Sequence, residues 1–150
     1  MPQIMRVLLV EDNAADADLT REAFAAGSTP VELQVAVNGH DACDYIRKRG
    51  RHISAVTPDL ILLDLNLPGI DGRMVLKQIK QDVDSRRIPV SILTSSTSER
   101  DVNQSYDLGA NCYLVKPLDF KSFQGIVRAI EGFWFDTVRL PQAGGSRGKS

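Results

Sequence analysis

Apolar residues in this chain gather in short, dense runs that stop abruptly at polar positions. Ile4–Val10 ends at Glu11-Asp12, Leu60–Leu63 at Asp64, and Val90–Leu93 at Thr94. Runs this short, apolar at consecutive rather than alternate positions, predict parallel strands covered on both faces. Val31–Val37 and Asn111–Val115 fit the same role and bring the predicted strands to five. Helical spacing fills the intervals. The first predicted helix starts at Asn13 as N-cap, with Asp16 facing the free amides, carries Ala15, Leu19 and Ala23 on one face, and stops at Gly27. A second runs over about 39–49 to a stop at Gly50, and the polar stretch 51–58 reads as a surface loop.

A third helix follows Asp71-Gly72, with Val75, Leu76 and Ile79 as its apolar face. The fourth opens on Ser98-Glu99-Arg100-Asp101, a start resembling a capping box, but its apolar face is only Val102 and Tyr106. Such a thin face predicts weak packing and freedom to move. The fifth, from Asp119, sets Phe123, Ile126, Val127, Ile130 and Trp134 along one stripe, the strongest amphipathic pattern in the chain. Strands alternating with helices predict an α/β fold, a doubly wound five-stranded parallel sheet with helices on both faces. In such sheets ligands sit beyond the carboxyl ends of the strands, so the polar residues at those ends should converge on one site.

Composition narrows the class. At 150 residues, 43% apolar and 25% charged, the chain suits one globular domain able to form a core without disulfides or a structural metal. Eighteen basic against nineteen acidic residues leave a formal charge of -1, which offers no global attraction to nucleic acid or to an anionic membrane. No apolar run approaches the ~20 residues needed to span a bilayer. The start of the chain lacks the cationic segment and cleavage site of a secretory signal, so a cytoplasmic location is expected. Cys43 and Cys112 have neither a Cys nor a His partner at metal-ligand spacing, which argues against zinc and for two small core fillers. The segment 142–150, Gly- and Ser-rich, reads as a flexible tail; its Gly-Lys-Ser ending fails as a phosphate-binding loop because Ala143 stands where the first glycine is required.

The predicted strand ends carry the chemistry. Glu11, Asp12 and Asp64 would repel one another if brought together, and a hard divalent cation, best Mg2+, is the usual way to neutralise such a cluster. Thr94 adds a hydroxyl donor and Lys116 a cation. A carboxylate surrounded by one metal, one donor and one cation suits phosphoryl transfer, with Asp64 as nucleophile and no separate general base. Taken singly, each feature has a plainer explanation: Glu11-Asp12 as acids at a helix start, Thr94 as a polar turn, Lys116 as a solvated side chain. A phosphatase using an aspartyl nucleophile would want it after the first strand with a second Asp two residues on, whereas Asn13-Ala14 follow Glu11-Asp12.

Taken together and in order, Val10-Glu11-Asp12-Asn13, the run Leu62–Gly72 around Asp64, Ile92–Ser96 with Thr94 and Cys112–Pro117 with Lys116 closely resemble the four motif blocks of response-regulator receiver domains. The resemblance covers about residues 5–132 and leaves 133–150 as a C-terminal extension and tail. It implies a flavodoxin-like fold with Asp64 as phosphoacceptor, Asp12 and Glu11 as the acidic metal pair, and Asn66 as the residue whose backbone carbonyl completes an Mg2+ site. Thr94 matches the switch hydroxyl, Tyr113 the switch aromatic and Lys116 the phosphate-contacting cation. Asn66 and Ser96 occupy positions that tune hydrolysis of the phospho-aspartate, and the Lys116–Pro117 bond resembles one that is cis in the family. Glu11 departs mildly from the family's double Asp.

A narrower likeness, in Ser105–Pro117 and Glu131–Pro141, is to the small single-domain regulators paired with phytochrome histidine kinases of bacteria and cyanobacteria. It implies a sensor histidine kinase as partner, a signalling switch rather than a metabolic enzyme, and a C-terminal segment that often contributes to a homodimer. Phe133, Trp134 and Phe135 are consecutive, so one helix cannot bury all three on its own domain, and at least one is expected to face a partner.

Overall fold

The structure, a computed structural model, describes residues 4–141. The predicted tail at 142–150 therefore lies outside the described residues. Strands β1 (Met5–Val10), β2 (Val31–Ala36), β3 (Leu60–Leu63), β4 (Val90–Thr94) and β5 (Cys112–Val115) form one parallel sheet in the order β2-β1-β3-β4-β5. Helices α1 (Ala14–Ala25), α2 (Gly39–Arg47), α3 (Gly72–Gln81), α4 (Glu99–Asp107) and α5 (Phe120–Ile130) connect them. This is the doubly wound arrangement that the alternating pattern predicts.

Strand pleating divides β1 and β3 between two cores. Leu8, Val10, Ile61 and Leu63 pack on one face of the sheet with Ala42 of α2 and Val75, Leu76 and Ile79 of α3. Val7, Leu9, Leu60 and Leu62 pack on the other with Ala23 and Phe24 of α1 and Phe123, Val127 and Ile130 of α5. Removing a large apolar side chain from water contributes ~1.5–3 kcal/mol, so the all-apolar β3 and β1, apolar but for Arg6, hold the sheet between its two helical layers. The chirality of parallel crossovers and the reversal of strand order beside β1 leave the carboxyl ends of β1, β3, β4 and β5 along one rim.

Each α-helix begins at a capping residue, and all but Asn38 stand at the starts that the sequence predicts. Asn13, Asn38, Asp71, Ser98 and Asp119 all accept a hydrogen bond from an amide of the following turn. Three local expectations are corrected. The buried face of α1 is Ala17, Thr20, Ala23 and Phe24, and Ala15 is exposed. Thr20 tolerates burial because its hydroxyl donates to the Asp16 carbonyl at 2.8 Å. Helix α2 ends at Arg47, with Lys48 itself in the left-handed conformation at φ 58°, rather than running to Gly50. The loop after it contains a single 3-10 turn, Gly50–His52, and His52 is largely buried, its Nε2 2.7 Å from Asp41 Oδ1 and its ring edge-on to Tyr45.

At the rim opposite the strand carboxyl ends, Lys80 of α3 buries its stem and donates to the Ile88 carbonyl at 2.7 Å, the Arg86 carbonyl at 3.1 Å and Asn111 Oδ1 at 3.3 Å. One ammonium thereby satisfies acceptors at the entry to both β4 and β5. Burial pushes its pKa down from the ordinary lysine value.

Candidate functional site

Strand β1 runs straight into Glu11 and Asp12, and β3 into Asp64, whose amide still pairs with the Val10 carbonyl at 3.1 Å. Adjacent parallel strands in register therefore deliver these acids side by side. Carboxylate oxygens of Glu11, Asp12 and Asp64 lie within 4.8 Å of one another, with Glu11 and Asp64 buried and Asp12 exposed at the mouth. An all-oxygen donor set of this kind suits a hard divalent cation rather than zinc or copper.

Strand β5 supplies the counter-charge. Its ladder continues one residue past the strand, the Lys116 amide donating to the Thr94 carbonyl at 2.8 Å, and the side chain then crosses the strand ends. Lys116 Nζ donates to Glu11 Oε1 at 2.5 Å, Asp16 Oδ2 at 2.9 Å and Asp64 Oδ2 at 3.0 Å, so all three ammonium protons meet carboxylates. Burial disfavours the ammonium, but its hydrogen bonds to Glu11, Asp16 and Asp64 outweigh that and hold Lys116 above its usual pKa. Burial, opposed by the Lys116 hydrogen bond and reinforced by the nearby Asp64, pushes the Glu11 carboxyl up to about 7.

The remaining expected residues surround this pair. Asn66 follows Asp64 in the β3–α3 loop, and its amide donates to Asp64 Oδ1 at 3.1 Å. Thr94 ends β4, is wholly buried, and its hydroxyl has no hydrogen-bond partner among the described residues. Leaving such a group unpaired costs about 1–3 kcal/mol, which marks Thr94 as a hydroxyl with capacity for a ligand oxygen. Tyr113 is half-buried against the α2–α3 side of the sheet, and its hydroxyl donates to the Ser96 carbonyl at 2.9 Å. The Lys116–Pro117 peptide is trans, as is every peptide bond among the described residues, against the cis expectation. An X-Pro bond admits either isomer at small cost, and with the trans bond Lys116 still meets all three acids.

Three contributors escape a reading of the sequence. Asp16, expected only as an acid at the start of α1, also accepts from Lys116. Gly72 opens α3 against the backbone just after β3: a Cβ there would come within 2.3 Å of the Asp64 carbonyl oxygen and 2.6 Å of the Leu65 Cα. Arg73, one residue on, donates to both oxygens of Asp71 at 3.0 Å and to Asp101 Oδ1 at 2.5 Å, while the Ser96 hydroxyl donates to Asp101 Oδ2 at 2.6 Å. The Ser96 hydroxyl and the Arg73 guanidinium hold the Asp101 carboxyl below its usual range. The first of these has a signal in the sequence, an acid one turn into α1; the Arg73–Asp101 pair, 28 residues apart, has none.

At the far end of α5 the chain continues in a π-type turn, Glu131–Phe135. Trp134 and Phe135 pack against the α1–α5 core, Phe135 with its ring centroid 6.4 Å from that of Phe24. Phe133 stays 52% exposed, edge-on to Trp134. Arg128 donates to Glu131 Oε1 at 2.8 Å and to the Ala23 carbonyl, which ties this turn to the end of α1. No helix of the described residues is long and apolar enough to cross a membrane.

Comparison with known proteins agrees with this geometry. The response regulator receiver domain family matches residues 7–128. Response regulator Rcp1 of Synechocystis sp. is 45% identical over 137 residues, covering 91% of this chain and 93% of that protein. The crystal structure of the Mn(2+)-bound form of Rcp1 superposes with a TM-score of 0.86 at 44% identity, covering 91% of this chain and 99% of that one. The crystal structure of the phosphorylated cyanobacterial phytochrome response regulator RcpA superposes with a TM-score of 0.89 at 45% identity, covering 93% of this chain and 99% of that one. With the family matched over residues 7–128 and a relative 45% identical across nearly the whole of both chains, the chain belongs to the response regulator receiver domains.

Proposed function

We propose that Asp64 accepts a phosphoryl group from the phosphohistidine of a sensor histidine kinase. The observation that carries this is the single ammonium of Lys116 bonded at once to Asp64 and Glu11, inside a cluster of three carboxylates. An Asp64 oxygen attacks phosphorus, the new O–P bond forms as the imidazole N–P bond breaks, and the released imidazole takes up a proton. Glu11, Asp12, Asp64 and the Asn66 carbonyl would hold Mg2+, which when bound offsets the negative charge of the incoming phosphoryl group. Lys116 neutralises a phosphoryl oxygen beside Asp64, and the unpartnered Thr94 hydroxyl donates to another.

Movement of Thr94 toward the phosphoryl group, followed by Tyr113, then alters the face formed by α4, β5 and α5, so that the chain works as a switch rather than a turnover catalyst. Incubation with acetyl phosphate and Mg2+ should add one phosphoryl group by intact mass, mapped to Asp64 and absent from Asp64→Asn. Modification elsewhere, or none, would sink the reading.

The phytochrome link in the name of RcpA supports a phytochrome-type kinase as the donor, acting in the cytoplasm. Exposed Phe133 supports the C-terminal extension as a homodimer contact. Since Trp134 and Phe135 pack on their own domain, Phe133→Ala is the clean probe. It should shift sedimentation toward monomer without changing phosphate uptake; an unaltered sedimentation profile removes this residue from any dimer contact.

A further inference from the structure

The movement of Thr94 proposed above would carry the β4–α4 loop with it, and that loop is tied by polar contacts. Of α4 only Ser105 is buried, so apolar packing does little to hold this helix. Its first turn is fixed instead by polar contacts. Asp101 takes the Arg73 guanidinium on one oxygen at 2.5 Å and the Ser96 hydroxyl on the other at 2.6 Å, and the Ser96 carbonyl accepts from Tyr113 at 2.9 Å. Arg73 is in turn gripped by Asp71, the cap of α3. The chain of contacts thus runs from the loop that follows Asp64 to the loop that follows Thr94. The side chains of Arg73 and Asp101 are only 21% and 19% exposed, so their charge-assisted bond is less screened than a pair on open surface.

We infer that Arg73 and Asp101 are positioning residues for phosphoryl uptake, their ion pair, continued through Ser96, holding loop 95–98 and the first turn of α4 in the resting arrangement. The inference rests on Asp64 being the phosphoacceptor. A bond made only in the resting state lowers the population of the arrangement that takes up phosphate, and breaking it raises that population by the same factor. Neither residue touches the carboxylate cluster or Lys116, so the effect acts through Ser96 and not through the metal site.

The experiment uses the full chain with acetyl phosphate and Mg2+, following phosphate on Asp64 by intact mass over time in wild type, Arg73→Ala, Asp101→Asn and the double variant. Each single variant should take up phosphate about fivefold faster than wild type. The double variant should be no faster than either single, because both remove one tie. Arg73→Lys, which keeps the charge but not the two-pronged geometry, should fall between Arg73→Ala and wild type. Mg2+ affinity should be the same in all. Equal or slower uptake in both single variants, or gains that multiply in the double, overturns the inference while leaving Asp64 as acceptor; failure of wild type to gain phosphate on Asp64 overturns both.

Discussion

Replacing Lys116 with Ala should cut phosphate uptake at Asp64 by about a hundredfold or more, the usual cost of losing one donor to a developing oxyanion. The same substitution also changes stability, and in a pH-dependent way. Glu11 and Asp64 are only 3% and 6% exposed, and without the ammonium they form a buried pair of acids with no cation between them. Breaking a buried ion pair by removing one partner costs about 3–5 kcal/mol, unless the group left behind can take up a proton.

Glu11 can. Burial already lifts its pKa from the ordinary glutamate value of 4.5 to about 7, and the Lys116 hydrogen bond that restrains the rise would be gone. Between those values the folded state binds more protons than the unfolded, so stability falls as pH rises through this window. In EDTA the variant should melt close to wild type near pH 5 and fall progressively behind toward pH 8, by about 6–12 °C for a loss of ~3 kcal/mol in a chain of this size. Added Mg2+ should recover much of that loss by supplying the missing positive charge. Melting curves that track wild type at every pH would show that the ammonium is not what makes the acidic cluster tolerable.

Gly72→Ala should be damaging for a different reason. The space for a Cβ is occupied by backbone, the Asp64 carbonyl oxygen at 2.3 Å and the Leu65 Cα at 2.6 Å, neither of which can rotate away as a side chain would. The loop must shift, and forcing extra atoms into a packed site costs about 1–3 kcal/mol. What distinguishes this position is where the shift occurs. Displacing the Asp64 backbone by about an ångström can slow a reaction that depends on alignment by about a hundredfold. A lowered melting temperature together with slowed uptake, at unchanged acetyl phosphate concentration, is the expected pattern. Uptake at the wild-type rate would show that the loop absorbs the methyl group without moving Asp64.

The strands and the acids at their ends are legible in the sequence because two signals coincide there: a dense apolar run marks a buried strand, and a charged residue at its end has few reasons to be there except a site. Caps are legible for a similar reason, since Asn13, Asp71, Ser98 and Asp119 act on amides two or three residues away. The face of α1 is not. Alanine at positions 14, 15, 17 and 23 gives little contrast between sides, and Thr20, polar by composition, goes inward once its hydroxyl finds the Asp16 carbonyl. The end of α2 is misread because Gly50 is the conspicuous stop, while Lys48 makes the left-handed turn first. The contacts of Arg73 with Asp101 and of Lys116 with Asp16 join residues on separate helices or loops, and no local pattern encodes which arginine meets which acid.

The bond between Lys116 and Glu11 spans 105 positions of the chain, and that between Lys116 and Asp64 spans 52. No fragment that stops short of β5 can therefore contain the arrangement, however well its earlier strands are formed. Contacts at such separation come late and together when a parallel sheet assembles. Competence to receive a signal is thus acquired all at once, with the last strand, and a nascent or truncated chain carries the acids but stays silent.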